Sequence, residues 1–346
     1  MTPAPSPRLA STPPRLASTP LRPYFIAAIV TLTAIVTLSL SKGAPQPAVA
    51  ADTTPQPLLA ATRYILVYVD GDKRQSASAG AGTGNYRLLG TLADGSVLVS
   101  YNDGGALAVE AISPSLGSRT IKTFYNTAFI APSSDGFLAY DGATQLLRRY
   151  DLKGSIVGSP VAPLGARDAL GVGESLVVLG SGRLAAWDRG GRLRHEIILD
   201  GGVLALMPND RFAVTELRNG EVRTYTSTFD LVGTLRPPAR TLRALAAGPD
   251  GSLAVLTGTP SCVTNDAEVD VYDGPTSDQP RARIRQNIGT AVGLAISADA
   301  VYVANLGCRG DGDGSIAVFG RDGTPHGVIS NVGSPTGVLP LPGARR

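Results

Sequence analysis

Short runs of alternating apolar and polar residues recur along the chain at intervals of about forty residues. Each run follows an acidic residue in a turn, as in "LADGSVLVS", "SSDGFLAY", "GVGESLVVL", "MPNDRFAVT", "GPDGSLAVL" and "SADAVYVA". The acidic residues are Asp94, Asp135, Glu174, Asp210, Asp250 and Asp299. Asp-Gly between alternating runs is typical of a β-hairpin, because both turn residues must adopt positive φ. The pattern therefore predicts a series of antiparallel hairpins.

A second set of strand-like runs follows the first, and most of its members contain an aromatic residue. The runs are "ILVYVDGD", "LLRRYDLKG", "LAAWDRGG", "VRTYTSTFD", "VDVYDGP" and "IAVFGRDG", and their aromatics are Tyr68, Tyr150, Trp187, Tyr225, Tyr272 and Phe319. Val109 takes the equivalent place in the unit that lacks one. Four strands in about forty residues is typical of a β-propeller blade, and no segment shows helical periodicity over more than about ten residues.

The two ends of this region each supply part of one predicted blade. "NVGSPTGVLP" near the C-terminus repeats "NIGTAVGLAI" of the preceding unit, and thus predicts an innermost strand with no blade after it. "PLLAAT" and "YILVYVDGD" match the middle strands of a blade that lacks its innermost one. We therefore expect residues 51–346 to form a single all-β domain, a seven-bladed β-propeller closed by a composite N- and C-terminal blade. A six-bladed propeller is the alternative.

The first fifty residues predict export. The segment 24–40 contains no charged residue, follows Arg8, Arg15 and Arg22, and precedes the small-residue sequence Ala48-Val49-Ala50. This order is typical of a secretory signal peptide, here preceded by a low-complexity leader in which "PRLASTP" occurs twice. We expect cleavage after about residue 50 and a secreted or periplasmic protein. An uncleaved membrane anchor is the alternative.

The charge of the chain argues against a nucleic-acid partner. The formal net charge of +3 comes from the leader, since residues 1–50 contain four basic residues and no acidic one. The remainder is close to neutral and has no run of lysine or arginine, whereas nucleic-acid binders concentrate positive charge. We expect a monomer that binds a protein or a small molecule, with membrane contact only if the leader is retained.

The segment "DAVYVANLG…GSIAVFGRDG", from Asp299 to Gly323, resembles an NHL-type or YVTN-type propeller repeat. The chain is also distantly similar to the gluconolactonase-like propellers, in which a Glu and Asn or Asp ligands hold a divalent metal at the channel mouth. Val292 stands where that family has an Asn. The favoured function is therefore a binding or interaction scaffold without a catalytic constellation, and a metal-dependent lactonase or lyase is the alternative.

The two cysteines predict a disulfide. Cys262 and Cys308 both fall in loops between the second and third strands of neighbouring blades, where a disulfide's short Cα separation can be met. An oxidising compartment favours the bond. A catalytic cysteine would need a base, but His195 and His326 both fall in outermost strands, away from the channel. Two cysteines without a histidine partner also do not make a zinc site.

Acidic residues near both cysteines raise the possibility of calcium. Asp311 and Asp313 lie in "GDGDG", and Asp266 and Glu268 lie in the neighbouring long loop. Calcium takes several carboxylate oxygens, but Asp-Gly pairs are also ordinary turn chemistry. No other cofactor is expected.

A polar residue precedes the innermost strand of every predicted blade. These residues are Asn85, Asn126, Asp168, Asp200, Arg240, Asn287 and Asn331. In a closed propeller they would surround one end of the central channel, where converging amides and carboxylates can bind a ligand. The alternative is that they only terminate loops and cap turns.

Overall fold

A computed structural model describes residues 56–71, 73–76, 84–92, 94–238, 241–263, 266–308 and 313–341. The predicted signal peptide lies outside these residues. The described chain is built of β-strands, and no helix in it is long and apolar enough to cross a membrane. The all-β prediction is therefore confirmed.

The strands follow one another in groups of four, apart from those at the two ends. Three strands come first: β1 (Leu58–Thr62), β2 (Leu66–Asp70) and β3 (Lys73–Ser76). The first three groups of four are β4 (Gly84–Thr91), β5 (Val97–Asp103), β6 (Ala106–Ile112) and β7 (Ser118–Phe124); β8 (Thr127–Ser133), β9 (Gly136–Asp141), β10 (Leu146–Asp151) and β11 (Ile156–Val161); and β12 (Asp168–Val172), β13 (Ser175–Gly180), β14 (Arg183–Trp187) and β15 (Leu193–Ile198).

Three further groups and a single strand complete the described chain. They are β16 (Gly201–Met207), β17 (Arg211–Glu216), β18 (Glu221–Thr226) and β19 (Leu231–Leu235); β20 (Leu242–Ala247), β21 (Leu253–Thr257), β22 (Glu268–Tyr272) and β23 (Ala282–Ile284); β24 (Ala291–Ile296), β25 (Ala300–Asn305), β26 (Ser315–Gly320) and β27 (Pro325–Ile329); and β28 (Pro335–Pro340). The acid-led runs are the second strands, and the runs with aromatic residues are the third strands.

The strands form five four-stranded sheets and one eight-stranded sheet. The groups that begin with β4, β16, β20 and β24 are each a separate antiparallel sheet in chain order. The groups that begin with β8 and β12 join into the eight-stranded sheet, in which Gly171 of β12 lies opposite Ser133 of β8 in a parallel pair.

The fifth four-stranded sheet contains both ends of the described chain, in the order β28-β1-β2-β3. Leu58 lies opposite Pro340 and Ala60 opposite Val338, and these strands are antiparallel. The Leu341 N–H also donates to the Pro57 carbonyl oxygen over 2.8 Å. The predicted composite sheet is therefore confirmed.

The first strands of the groups contact one another in a closed series. From β4 the contacts run through β8, β12, β16, β20 and β24 to β28, and β28 lies against β4 again. Apolar side chains fill the space between consecutive sheets: Val99 of β5, for example, packs in one cluster with Leu59 and Ala61 of β1. The arrangement is a β-propeller with the first strands innermost.

The propeller has two distinct faces. Because strands alternate in direction within each group, the loop between the second and third strands lies at the same end as the start of the first strand. We call this end, together with the connections from one group to the next, the loop face. The turns between the first and second strands, and between the third and fourth, form the opposite hairpin face.

Candidate ligand site on the loop face

The predicted polar residues stand where the sequence places them, at the starts of the innermost strands. Asn126, Asp200, Asn287 and Asn331 lie in the connections before β8, β16, β24 and β28. Asn85 is the second residue of β4 and Asp168 is the first of β12, while Arg240 lies outside the described residues. Their role in binding a ligand stays a prediction.

Three of these asparagines have a backbone conformation that explains the residue type. Asn85, Asn287 and Asn331 have φ values of 60°, 57° and 62°. Among residues with a side chain, asparagine tolerates this left-handed region best. At these three positions the turn interpretation is therefore sufficient to account for the residue.

The two acidic residues of the set bind arginines. Asp168 Oδ1 lies 3.3 Å from Nη2 of Arg87, which comes from β4, and Asp200 Oδ1 lies 3.9 Å from Nη2 of Arg167. Arg87 also donates to the Ile130 carbonyl oxygen of β8, so it spans the first strands of three groups. These carboxylates are partly neutralised.

A cavity of about 490 Å³ opens beside the composite sheet. Its lining consists of Arg63, Asn85, Tyr86, Leu306, Gly307, Ser334 and Thr336. These residues come from the β1–β2 loop, the start of β4, the loop after β25 and the segment that begins β28, all on the loop face. The cavity thus includes one residue of the predicted polar set, Asn85.

Two glycines allow the backbone segments around the cavity to approach closely. A side chain at Gly84 would clash with the carbonyl oxygen of Arg63, to which the Asn85 N–H donates over 2.5 Å. A side chain at Gly307, whose φ is 84°, would clash with the carboxylate of Asp313. Glycine is required at both positions, because no other residue lacks Cβ.

Tyr86 forms an apolar part of the cavity wall. Its ring stacks on that of Tyr101, with 5.2 Å between the ring centroids. Burial, with the nearby carboxylates of Glu110 and Asp103, raises the pKa of Tyr86 above its usual value. The phenol therefore stays protonated at neutral pH.

The disulfide lies directly beside this cavity. Cys262 and Cys308 are bonded, with 5.5 Å between their Cα atoms, and they lie in the β21–β22 and β25–β26 loops. The predicted pairing and its loops are confirmed. Cys308 follows Gly307 of the cavity wall, and its N–H donates to Asp313 Oδ2 over 3.1 Å. The bond therefore anchors one side of the cavity.

The residues of the calcium hypothesis do not converge within the described part of the chain. Glu268 is buried in β22 and pairs with Arg283 and Arg285, while Asp311 is not described. No group of three or more His, Cys, Asp or Glu side chains that could hold a metal ion occurs among the described residues. Calcium at Asp266, Glu268, Asp311 and Asp313 stays a prediction.

Both histidines lie in outermost strands, as the sequence predicts. His195 is in β15, where its ring stacks on Phe229, and His326 is in β27. Neither residue is among those that line the cavity.

Comparison with known proteins supports the fold. No protein-family model and no curated protein matches this chain. A candidate 6-phosphogluconolactonase from Bacteroides uniformis has a TM-score of 0.61 at 12% identity, over 82% of this chain and 99% of that one. Apo AztD from Citrobacter koseri has a TM-score of 0.55 at 11% identity, over 84% and 100%. Hsv2 from Kluyveromyces lactis has a TM-score of 0.53 at 11% identity, over 77% and 90%.

At such identities the likeness concerns the fold alone. It confirms the predicted β-propeller and includes a candidate lactonase propeller among the similar structures. The assignment of NHL or YVTN repeats stays a prediction.

Proposed function

We propose that the protein is an extracytoplasmic, seven-bladed β-propeller that acts as a binding scaffold through its loop face. The blade count follows if the eight-stranded sheet is two blades. Its halves are each a four-stranded antiparallel group like the other sheets, and Gly171 and Ser133 are the residues that pair between them. Two blades from this sheet and five from the others make seven.

The disulfide supports an extracytoplasmic location. Such bonds form and persist in oxidising compartments and are rare in reducing ones. The predicted signal peptide would bring the protein there. N-terminal sequencing of the mature protein tests this part of the proposal, and a retained residue 1 would favour the membrane-anchored alternative.

The observation that carries the binding role is the uneven distribution of exposed apolar side chains. Eleven large apolar side chains are exposed among the described residues. Seven lie on the loop face: Tyr64, Ile65, Tyr125, Leu164, Ile198, Leu217 and Val263. The others are Ile156, Leu193, Leu231 and Val328, in outermost strands. Exposed apolar side chains that concentrate on one surface are typical of interaction sites.

The polar side chains of the cavity also suit binding. Arg63, Asn85, Ser334 and Thr336 provide a cation, an amide and two hydroxyls, which can hold the oxygens of a ligand. Apolar walls with a few well-placed polar groups are the usual composition of a ligand pocket. Rigid scaffolds commonly carry such sites on surface loops that do not contribute to the core.

Two triple variants test the role of the loop face. Tyr64→Ser with Leu217→Ser and Val263→Ser changes the loop face, and Ile156→Ser with Leu193→Ser and Leu231→Ser is the control in outermost strands. Because all six side chains are exposed, we expect each substitution to change the free energy of unfolding by less than about 0.5 kcal/mol.

The readout is quantitative cross-linking and affinity capture from the extracytoplasmic fraction of the native cell. We expect the loop-face variant to capture at least about tenfold less of a specific partner than the wild-type protein does. The control should capture as much as the wild type. Equal recovery by both variants, or equal loss, would contradict the proposal.

A further inference from the structure

Arg63 brings an uncompensated positive charge to the cavity. Its side chain is exposed, and no described carboxylate lies within ion-pair distance of it. Its guanidinium lies 5.4 Å from the ring centroid of Tyr64. Two other arginines of the loop face pair with carboxylates: Arg167 with Asp200, and Arg183 with Glu196.

Two neutral donors accompany Arg63. Ser334 is half-buried, and its hydroxyl makes no hydrogen bond to a described residue. Asn85 is exposed, and its side-chain amide likewise makes no hydrogen bond to a described residue. Thr336 differs, because its hydroxyl donates to the Ala61 carbonyl oxygen over 3.2 Å. The cavity therefore offers a guanidinium, an amide and a hydroxyl as available donors.

The remaining walls are apolar or backbone. Leu306 is half-buried and Tyr86 is nearly buried, and Gly307 contributes backbone alone. Asp313 is not among the lining residues, and its Oδ2 accepts the Cys308 N–H. The lining therefore combines one guanidinium and neutral donors with the apolar surface of Tyr86 and Leu306.

We infer that the cavity binds a small organic carboxylate with a compact apolar body. A planar guanidinium matches a carboxylate through two parallel N–H···O bonds, with Asn85 and Ser334 able to donate to the same oxygens. The apolar body packs on Tyr86 and Leu306. This inference deepens the proposed function, since it names the ligand class of the loop-face cavity.

Benzoate and benzamide provide a matched pair of probes, because they share a shape and differ in charge. We expect isothermal titration calorimetry to show saturable binding of benzoate, at least about tenfold tighter than benzamide. Arg63→Gln should remove this preference. Arg218→Gln should preserve it, since Arg218 is also exposed on the loop face but does not line the cavity.

A second readout locates the probe. Benzoate should shift the backbone amide resonances of Asn85, Gly307 and Thr336 in a ¹H–¹⁵N spectrum of the wild-type protein. Inorganic phosphate, which lacks the apolar body, should bind at least about tenfold more weakly than benzoate. Resonance shifts confined to other residues would overturn the inference.

The inference also fails if benzoate does not bind, if Arg63→Gln keeps the preference for it, or if phosphate binds as well. If the loop-face triple variant loses partner capture although the benzoate tests fail, the proposed function still stands. The two failures are therefore distinguishable.

Discussion

The hairpin face and the loop face both connect neighbouring groups of strands, but by different means. On the hairpin face, arginines connect neighbouring groups of strands. Arg149 of β10 donates to Asp135 and to the Gly173 carbonyl oxygen in the next group. Arg321 donates to Asp250 of the preceding sheet and to the Ala298 carbonyl oxygen. On the loop face, Arg87 bonds to Ile130 and Asp168 of the next groups, and the disulfide links two sheets covalently. Arg63, by contrast, pairs with no described carboxylate.

Arginines that bond two groups of strands together differ in role from an arginine that has no carboxylate partner. A charged group that is hydrogen-bonded between two packed sheets contributes to holding them together. Unpaired charge beside exposed apolar side chains does not stabilise the fold in this way, but it is available to a ligand. Arg149 and Arg321 are thus structural residues, whereas Arg63 is a candidate ligand contact.

Removal of the disulfide should have the largest effect on stability. The double change Cys262→Ser with Cys308→Ser opens a link across a sequence separation of 46 residues. On the chain-entropy relation, this lowers the free energy of unfolding by about 4 kcal/mol. Urea unfolding at neutral pH measures it, and wild-type protein under reducing conditions is the control. A loss below about 1 kcal/mol would show that the loop face does not depend on its covalent link.

Replacement of Arg149, which lies on the hairpin face, should have an intermediate effect on the free energy of unfolding. Its side chain is 3% exposed, so Arg149→Met removes charge-assisted hydrogen bonds from a buried position and should cost about 2 kcal/mol of unfolding free energy. Arg183→Met is the control, because Arg183 and Glu196 are an exposed pair worth less than about 1 kcal/mol. If both variants lost the same unfolding free energy in urea, Arg149 would contribute no more than the exposed pair on the loop face.

Asp250 should show the smallest effect, and one that depends on pH. Burial raises its pKa, but hydrogen bonds from Ser252 and Arg321 outweigh burial and lower the pKa to about 2. A lowered carboxyl pKa in the folded state stabilises the protein above the unfolded pKa of about 3.8, and this contribution is lost as pH falls toward 2. Since the side chain is 49% exposed, screening limits the contribution to about 1 kcal/mol.

Asp250→Asn should therefore be about 1 kcal/mol less stable than wild type at pH 7 and nearly equal to it at about pH 2. Urea unfolding across this range measures the difference. Glu174→Gln, which alters an exposed pair with Arg189 on the same face, should change stability less at pH 7. A difference for Asp250→Asn that is independent of pH would show that the carboxylate charge is not responsible.

Much of the architecture could be predicted from the sequence because strands leave a periodic signal. The acid-led hairpins, the composite sheet and the Cys262–Cys308 bond all follow from comparing equivalent positions in successive units. The outer-strand positions of His195 and His326 follow in the same way. Each of these predictions depends on the repeat rather than on the chemistry of a particular side chain.

The candidate site could be predicted less well. Arg63 lies in a turn between two of the strand-like runs, and Ser334 lies in a repeated segment whose pattern indicates a strand but no ligand. Closure of the propeller brings them together from opposite ends of the described chain. Asn85, Asn287 and Asn331 show a second difficulty, because a left-handed turn and a ligand contact select the same residue type. Nothing in their sequence context separates the two roles.

The composite sheet has a consequence for how this protein is made. Thr336 in its last strand bonds to Ala61 in its neighbour across 275 residues of sequence. A ribosome must therefore synthesise nearly the whole domain before β1 can gain its innermost partner. Until then one edge of β1 stays unpaired, and such edges invite association with other chains. Stop codons or proteolysis just upstream of β28 should thus yield aggregating fragments rather than slightly shortened propellers.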